Sequence, residues 1–259
     1  MNIVVCIKQV PDTTEVKLDP ITGTLIRKGV PSIINPDDKS GLEAALVLKE
    51  EYGAHITVLT MGPPQADFAL REALAMGADD AILLTDRKFA GADTLATSTT
   101  LAAAIKNLDY DLIIAGRQAI DGDTAQVGPQ IAEHLKLPQV SYVSSLTRKD
   151  NILTMRREFE DGYHMIEVEM PCLITTLSEM NKPRYMNVGG VIDAYKKDII
   201  SWTFDDIDVD IEDLGLNGSP TKVKKSFTKG VKEPGEKHEL SSIDASKLII
   251  QRLKEKHII

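Results

Sequence analysis

The stretch AGRQAIDGDTAQVGP, residues 115–129, sets Gly116, Gly122, two carboxylates (Asp121 and Asp123) and Thr124 between an apolar run and a helical pattern. Residues of these types hold a phosphate rather than break bonds. Glycine lets an anion come close to the backbone. A helix opening at Thr124 would turn unpaired amides and the positive end of its dipole toward that anion. A second stretch, AGADTLATS (90–98), repeats the design, with Asp93 or Thr94 capping a helix. The hydroxyls of Thr94, Thr97 and Thr124 suit a pyrophosphate or a ribityl phosphate. The same residue types are also the commonest helix caps, so a plain structural reading stands beside the ligand reading. Neither stretch matches GxGxxG or GxxxxGK[ST]. No nucleophile–base pair has a defensible spacing: His55 starts a strand, His134 falls late in a helix, His164 is in a hairpin, and His238 and His257 are in the tail. Cys6 and Cys172 sit in apolar runs without a CxxC or a nearby histidine, which argues against a metal site. These residues predict nucleotide binding without visible acid–base machinery.

The elements that must position these loops alternate over the first half of the chain. The runs 2–7, 55–60, 81–84 and 111–115 are strand-length and rich in Ile, Leu and Val. Between them, 38–53 presents Leu42, Ala45 and Leu46 on one face and stops at Gly53. Ala66, Ala69, Leu70, Ala73 and Leu74 keep helical spacing up to a glycine stop at 76–78, and a third helix from Asp93 or Thr94 places Leu101, Ile105 and Leu108 together. Strand alternating with helix gives right-handed crossovers and a parallel sheet. Ligands then sit at the carboxyl ends of the strands, where the loops at 8–13, 61–64, 90–98 and 115–129 converge. After residue 138 the pattern becomes period-two, with turns at KDN and EDG, which predicts an antiparallel hairpin ending in the buried run CLITT. The segment 178–190 is polar, and 226–242 is nearly devoid of apolar residues and reads as extended. The last stretch forms a helix with Leu248, Ile249 and Leu253 on one stripe. That helix packs back on its own domain or embraces another subunit. The expected fold class is thus α/β, a parallel sheet with helices on both faces, an added hairpin and a C-terminal arm with a terminal helix. The expected division is a domain over 1–225 and an arm over 226–259.

Charge and hydropathy set the class of partner. The 259 residues carry 30 Lys and Arg against 39 Asp and Glu, a formal charge of −9 that would repel nucleic acid. No apolar run approaches the ~18 residues of a membrane span, and the first ten residues lack the basic and long apolar regions of a signal peptide. A cytoplasmic location is the expectation.

Several longer motifs occur together: VCIKQVPDT, INPDDKSGLEAALVLKE (34–50), EALAMGADDAILL (72–84), GRQAIDGDTAQVGP (116–129), REFEDGYHMIEVEMPCLIT (157–175) and NKPRYMNVGGVIDAYKK (181–197). In this order they resemble the β subunit of electron-transfer flavoproteins along nearly the whole chain. His164 departs from the Glu or Gln more common in the hairpin signature. The resemblance implies a heterodimer with an α subunit that carries a redox-active FAD. It also implies a β-subunit nucleotide, which is AMP in the simpler members and a second FAD in the electron-bifurcating ones. Carried over to this chain, the adenosine-phosphate site comprises Cys6 through its backbone, Asn35 to Asp38, Met61 and the loop Gly116 to Val127 (Gly116, Arg117, Gln118, Asp121, Gly122, Asp123, Thr124, Ala125, Gln126, Val127). The acidic residues of that loop would serve hydroxyl recognition and helix capping.

Residues 89–105 resemble the bifurcating members, with Asp93, Thr94 and Thr97 extending the pocket toward a flavin, and this favours FAD over AMP. The function so implied is oxidation of NADH at the β-site flavin. One electron goes to the α-subunit flavin and on to an acyl-CoA dehydrogenase, the other to ferredoxin or flavodoxin. In the family the loop after the last strand docks on the dehydrogenase through an apolar anchor that Met180 matches, with Asn181, Pro183, Arg184 and Tyr185 beside it. Glu158 matches a position facing the α subunit's mobile flavin domain. The alternatives are an AMP-containing single-FAD carrier and an adenine-nucleotide-binding regulatory module. A phosphate-hydrolysing enzyme of this fold would need a loop such as SGGxDS, which is absent.

Overall fold

A computed structural model describes residues 1–12, 31–222 and 235–259. Thr13, at the end of the first predicted ligand loop, and residues 226–234 of the predicted arm lie outside the described residues. Two compact units are present, Met1–Ser226 and Phe227–Ile259.

The first unit is built on a nine-stranded sheet. Its parallel part comprises β1 (Asn2–Cys6), β4 (His55–Met61), β5 (Asp80–Leu84), β6 (Leu112–Gly116), β7 (Gln139–Lys149), β10 (Cys172–Thr176) and β11 (Ile200–Trp202). A separate two-stranded antiparallel sheet joins β2 (Gln9–Pro11) to β3 (Ser32–Ile34). In the large sheet the order is β11-β5-β4-β1-β6-β10-β7-β8-β9, where β8 is Ile152–Phe159 and β9 is Gly162–Glu169. The central strands are buried on both faces, as their near-continuous Ile, Leu and Val content requires.

Helices α1 (Pro36–Tyr52), α2 (Asp67–Met76) and α5 (Val188–Ala194) cover one face, and their cluster includes Leu42, Leu46, Leu70 and Ile114. Helices α3 (Thr94–Ile105) and α4 (Val127–Leu135) cover the other, around Leu101, Ile105, Ile113 and Ile131. Caps explain the bounds. Pro36 occupies the first turn of α1, where its missing amide has no role, and Gly53 closes the helix at φ 66° with its amide on Lys49 O. Asp93 caps α3 by accepting from Leu95 and Ala96.

Three local expectations are corrected. The helix foreseen from Thr124 begins at Val127, because Asp123 and Ala125 adopt positive φ, 49° and 52°, that no helix accommodates. The added hairpin is a meander: β7 pairs parallel with β10, then β7, β8 and β9 pair antiparallel in succession. Leu108 lies past the end of α3, which stops at Ile105. Helix α5 begins at the end of the segment 178–190 read as polar, and strand β11 falls where no element is foreseen. Among the described residues no helix is long and apolar enough to cross a membrane.

In the second unit, α6 (Ser242–Glu255) is capped by Ser241 and has no fully buried side chain.

Candidate functional site

The carboxyl ends of β1, β6 and β10 meet the N-terminus of α1, and two adjacent aspartates fasten them. Asp38 accepts from the Lys8 amide at 2.7 Å and from the Gly116 amide at 3.0 Å, one with each carboxylate oxygen. Burial pushes its carboxyl up to about 7, against the pull of Asn35 and those amides. Gly116 has no alternative side chain: a Cβ there would overlap the Asp38 carboxylate and the Cβ of Asp37. Asp37 accepts from the Ser178 amide at 3.0 Å, and its carbonyl accepts the Thr176 hydroxyl at 3.0 Å. Asn35 grips the 116–127 loop from both sides, donating to Gln118 O at 2.8 Å and accepting from the Ile120 amide at 3.0 Å.

Within this loop the acidic residues are struts. Asp121 is paired with Lys8 Nζ at 2.6 Å, and Asp123 accepts from Gln118 Nε2 at 2.9 Å. Neither caps α4, which has no side-chain cap among the described residues. Its first-turn amides at Val127 and Gly128 therefore lack an acceptor within the helix, and Pro129 has none to satisfy. Ala125 at positive φ followed by Gln126 in the right-handed region (φ −111°, ψ −32°) turns successive amides into a concave anion cradle. Gly122 leaves open space beside the loop.

The α3 end is built differently. Leu95 and Ala96 donate to one oxygen of Asp93, while the Thr221 amide and hydroxyl donate to the other at 3.0 and 2.7 Å. Burial opposes ionisation there, yet these bonds hold the Asp93 carboxyl below its usual range. The expectation of free amides at this helix start is thus corrected for Leu95 and Ala96, whose acceptor is Asp93. Thr94 Oγ1 donates to Gln126 Oε1 at 3.1 Å, so the starts of α3 and α4 lie side by side, with half-buried Thr97 one turn further in.

Cys6 ends β1 and Met61 ends β4 at the same rim of the sheet. Burial, reinforced by Asp38, pushes the Cys6 thiol up to about 12, and burial pushes Cys172 up to about 11, so both remain thiols. The described residues contain no group of three or more His, Cys, Asp or Glu able to hold a metal.

Residues 22–207 match the electron transfer flavoprotein domain. The chain is 62% identical to the electron transfer flavoprotein subunit beta of Clostridium acetobutylicum, over the whole of both chains. It is 56% identical to the caffeyl-CoA reductase-Etf complex subunit CarD of Acetobacterium woodii, and 47% identical to the acryloyl-CoA reductase electron transfer subunit gamma of Anaerotignum propionicum, again with both chains fully covered. This chain belongs to the electron-transfer flavoprotein family, among its β subunits.

The family resemblance assigns a docking role to Met180. Met180 is half-buried and packs against the core cluster. The exposed apolar side chains of this region come just after it: Tyr185 (96% exposed), Met186, Val188 (79%), Ile192 and Tyr195. Of these only Tyr185 is named from sequence; Met186 and Val188 fall in the segment 178–190 read as polar, and Ile192 and Tyr195 are not assigned to any element. Asn181 is tied to Ser40, Pro183 is half-buried, and Arg184 donates to Glu43 at 2.8 Å and to Glu50. Those bonds, to Glu50 first and Glu43 next, raise the Arg184 guanidinium further above its ordinary range. Glu158 lies on β8 with its carboxyl held below the usual range by the Ser144 hydroxyl and then Arg156. Asp37 falls inside the stretch Asn35 to Asp38 and Lys8 inside the loop at 8–13, whereas Glu43, Thr221 and Ser219, whose hydroxyl accepts from the Asp93 amide at 2.8 Å, are missed from sequence because their partners are distant in the chain.

Proposed function

We propose that this β subunit pairs with a flavin-carrying α subunit, holds a second FAD at the 116–127 loop, and accepts electrons from NADH for division between two acceptors. The observation that carries the reading is the uncapped start of α4, cradled by Ala125 and Gln126 and set against Thr94 of α3. A phosphate fits that cradle without displacing any protein bond, because first-turn amides have no other acceptor. The adjoining Thr94 and Thr97 hydroxyls lengthen the site toward a dinucleotide. When bound, the flavin would supply the redox chemistry, taking two electrons from NADH and passing them singly to the α-subunit flavin and to ferredoxin or flavodoxin. The protein's own part is positional. Asn35 and Asp38 fix the loop, Gly116 permits its close approach to α1, and the Lys8–Asp121 pair braces it. The exposed face from Tyr185 to Tyr195 would meet an acyl-CoA dehydrogenase, and Glu158 would face the α subunit's flavin domain. The names of the Acetobacterium and Anaerotignum relatives, both parts of acyl-CoA-type reductase systems, favour this assembly.

A specific observation favours a second reading. The Leu95 and Ala96 amides of α3 are closed by Asp93, so of the two adjoining helix starts α4 is the one open to a phosphate, as AMP in a single-FAD carrier would require. Nucleotide content of the αβ heterodimer, followed by mixing with NADH, separates the two. Two FAD, no AMP and bleaching by NADH are expected; one FAD with one AMP and no bleaching would replace the bifurcating reading with the carrier. Thr94→Leu with Thr97→Leu should lower FAD content, and unchanged flavin would remove those residues from the site.

A further inference from the structure

The segment that leads to the exposed α5 face is laid along one stripe of α1. The Ser178 amide donates to Asp37 Oδ1 at 3.0 Å, the Asn181 amide to Ser40 Oγ at 3.1 Å, and the Arg184 amide to Glu43 Oε2 at 3.0 Å. The Arg184 guanidinium then reaches Glu43 and, two turns further along α1, Glu50. Positions 37, 40, 43 and 50 share one helix face. Three of them, Asp37, Ser40 and Glu43, are polar yet buried, because the segment covers them.

The nucleotide loop meets the same stripe at its first residue. Asp37 Oδ2 lies 3.3 Å from Arg117 Nε, and both atoms are buried without a hydrogen-bond partner among the described residues. Two opposite charges face each other out of hydrogen-bonding alignment, so a small shift of residues 116–118 would make a directional bond that is absent here. Asn35 and Asp38 also tie the loop to the start of α1, but Asp37 is the residue of α1 that contacts both the loop, at Arg117, and the docking segment, at Ser178.

We propose that Asp37 is a positioning residue shared by the nucleotide loop and the docking segment, so that filling the cradle sets the docking face for the dehydrogenase. By linkage, a docked dehydrogenase tightens the nucleotide by the same factor. This rests on the proposed docking role of the Tyr185–Tyr195 face. Asp37→Asn keeps an oxygen to accept the Ser178 amide while it removes the charge facing Arg117.

The test uses the αβ heterodimer and the acyl-CoA dehydrogenase that co-purifies with it. Dehydrogenase Kd is measured with the β-site nucleotide present and after stripping it, with readdition of FAD or AMP as the probe. The wild type is expected to lose about tenfold in affinity on stripping and to regain it on readdition, within the range of ordinary coupling. Asp37→Asn should still bind the dehydrogenase but with less than about a twofold response. Arg117→Gln, measured at saturating nucleotide and again stripped, should lose the response equally, and the double variant should add nothing. Either single variant suffices if the other does not fold. A wild type indifferent to nucleotide, or variants that keep its full response, would overturn the coupling. If Val188→Asp and Arg184→Gln leave the dehydrogenase Kd unchanged, the docking surface itself is wrong, which is a separate failure.

Discussion

At the scale of single residues, the site depends on Gly116 and Asp38. The two occupy one point of closest approach between α1 and the end of β6, and no side chain fits there. Gly116→Ala is expected to destabilise the protein by ~2 kcal/mol or more, since overpacking a rigid backbone contact forces both elements apart. Denaturant unfolding of the purified heterodimer measures it, and a loss below about 0.5 kcal/mol would mean the contact relaxes freely. Asp38 makes a pH prediction. Its carboxyl titrates near 7 when folded and near 3.8 when unfolded. Between those values the folded state binds the extra proton, so stability falls as pH rises through the window. The contribution is fully present below about pH 4 and lost above about pH 7. Asp38→Asn removes the titration, though it also turns an NH2 toward one of two amides and should be less stable at every pH. A curve of unfolding free energy from pH 4 to 7.5 should slope less steeply downward in the variant; identical slopes would show that Asp38 is ionised throughout.

At the scale of elements, the alternation of apolar runs with 3.6-period segments made the strands and the α1, α2 and α3 helices legible. Helix stops were equally plain where Gly53 and Gly77 sit. What escaped was conformation that side-chain pattern does not encode: the left-handed Asp123 and Ala125 delay α4 by three residues, and that delay is what leaves its amides open. Asp93 was legible as a cap, whereas its consequence was not, because the closing partner Thr221 is 128 residues away. The family motifs made the nucleotide loop recognisable without revealing that its acids are internal struts. The capping role of Asp93 gives its own prediction. Asp93→Ala removes the acceptor for two α3 amides and for the Thr221 tie, which should cost about 1–2 kcal/mol. For a domain of this size that lowers Tm by several degrees. Calorimetry of the heterodimer reads the shift. An unchanged Tm with a fallen nucleotide content would instead make Asp93 a ligand first and a cap second.

At the scale of the whole molecule, both hydrophobic clusters belong to the Met1–Ser226 unit, while α6 carries an apolar stripe that its own unit does not bury. Ile243, Ile249 and Ile250 on that helix are all about half exposed or more. A 14-residue helix is marginal in water by itself, so α6 needs a hydrophobic cover to be stable. We expect the α subunit to supply that cover, because exposed apolar stripes on this scale mark interaction sites. The consequence is asymmetric. Ending the chain at residue 234 should leave the α/β body's own unfolding transition intact, since no member of either core cluster is removed. It should weaken assembly with the α subunit by at least tenfold, the equivalent of about 1.4 kcal/mol. Analytical ultracentrifugation across a dilution series, with the truncated and full-length β subunits each mixed with α, gives both numbers from one preparation. Equal heterodimer Kd values would mean that α6 is covered elsewhere. A truncated chain that fails to fold would place α6 in the body's own stability, and the division at residue 226 would cease to be a functional one.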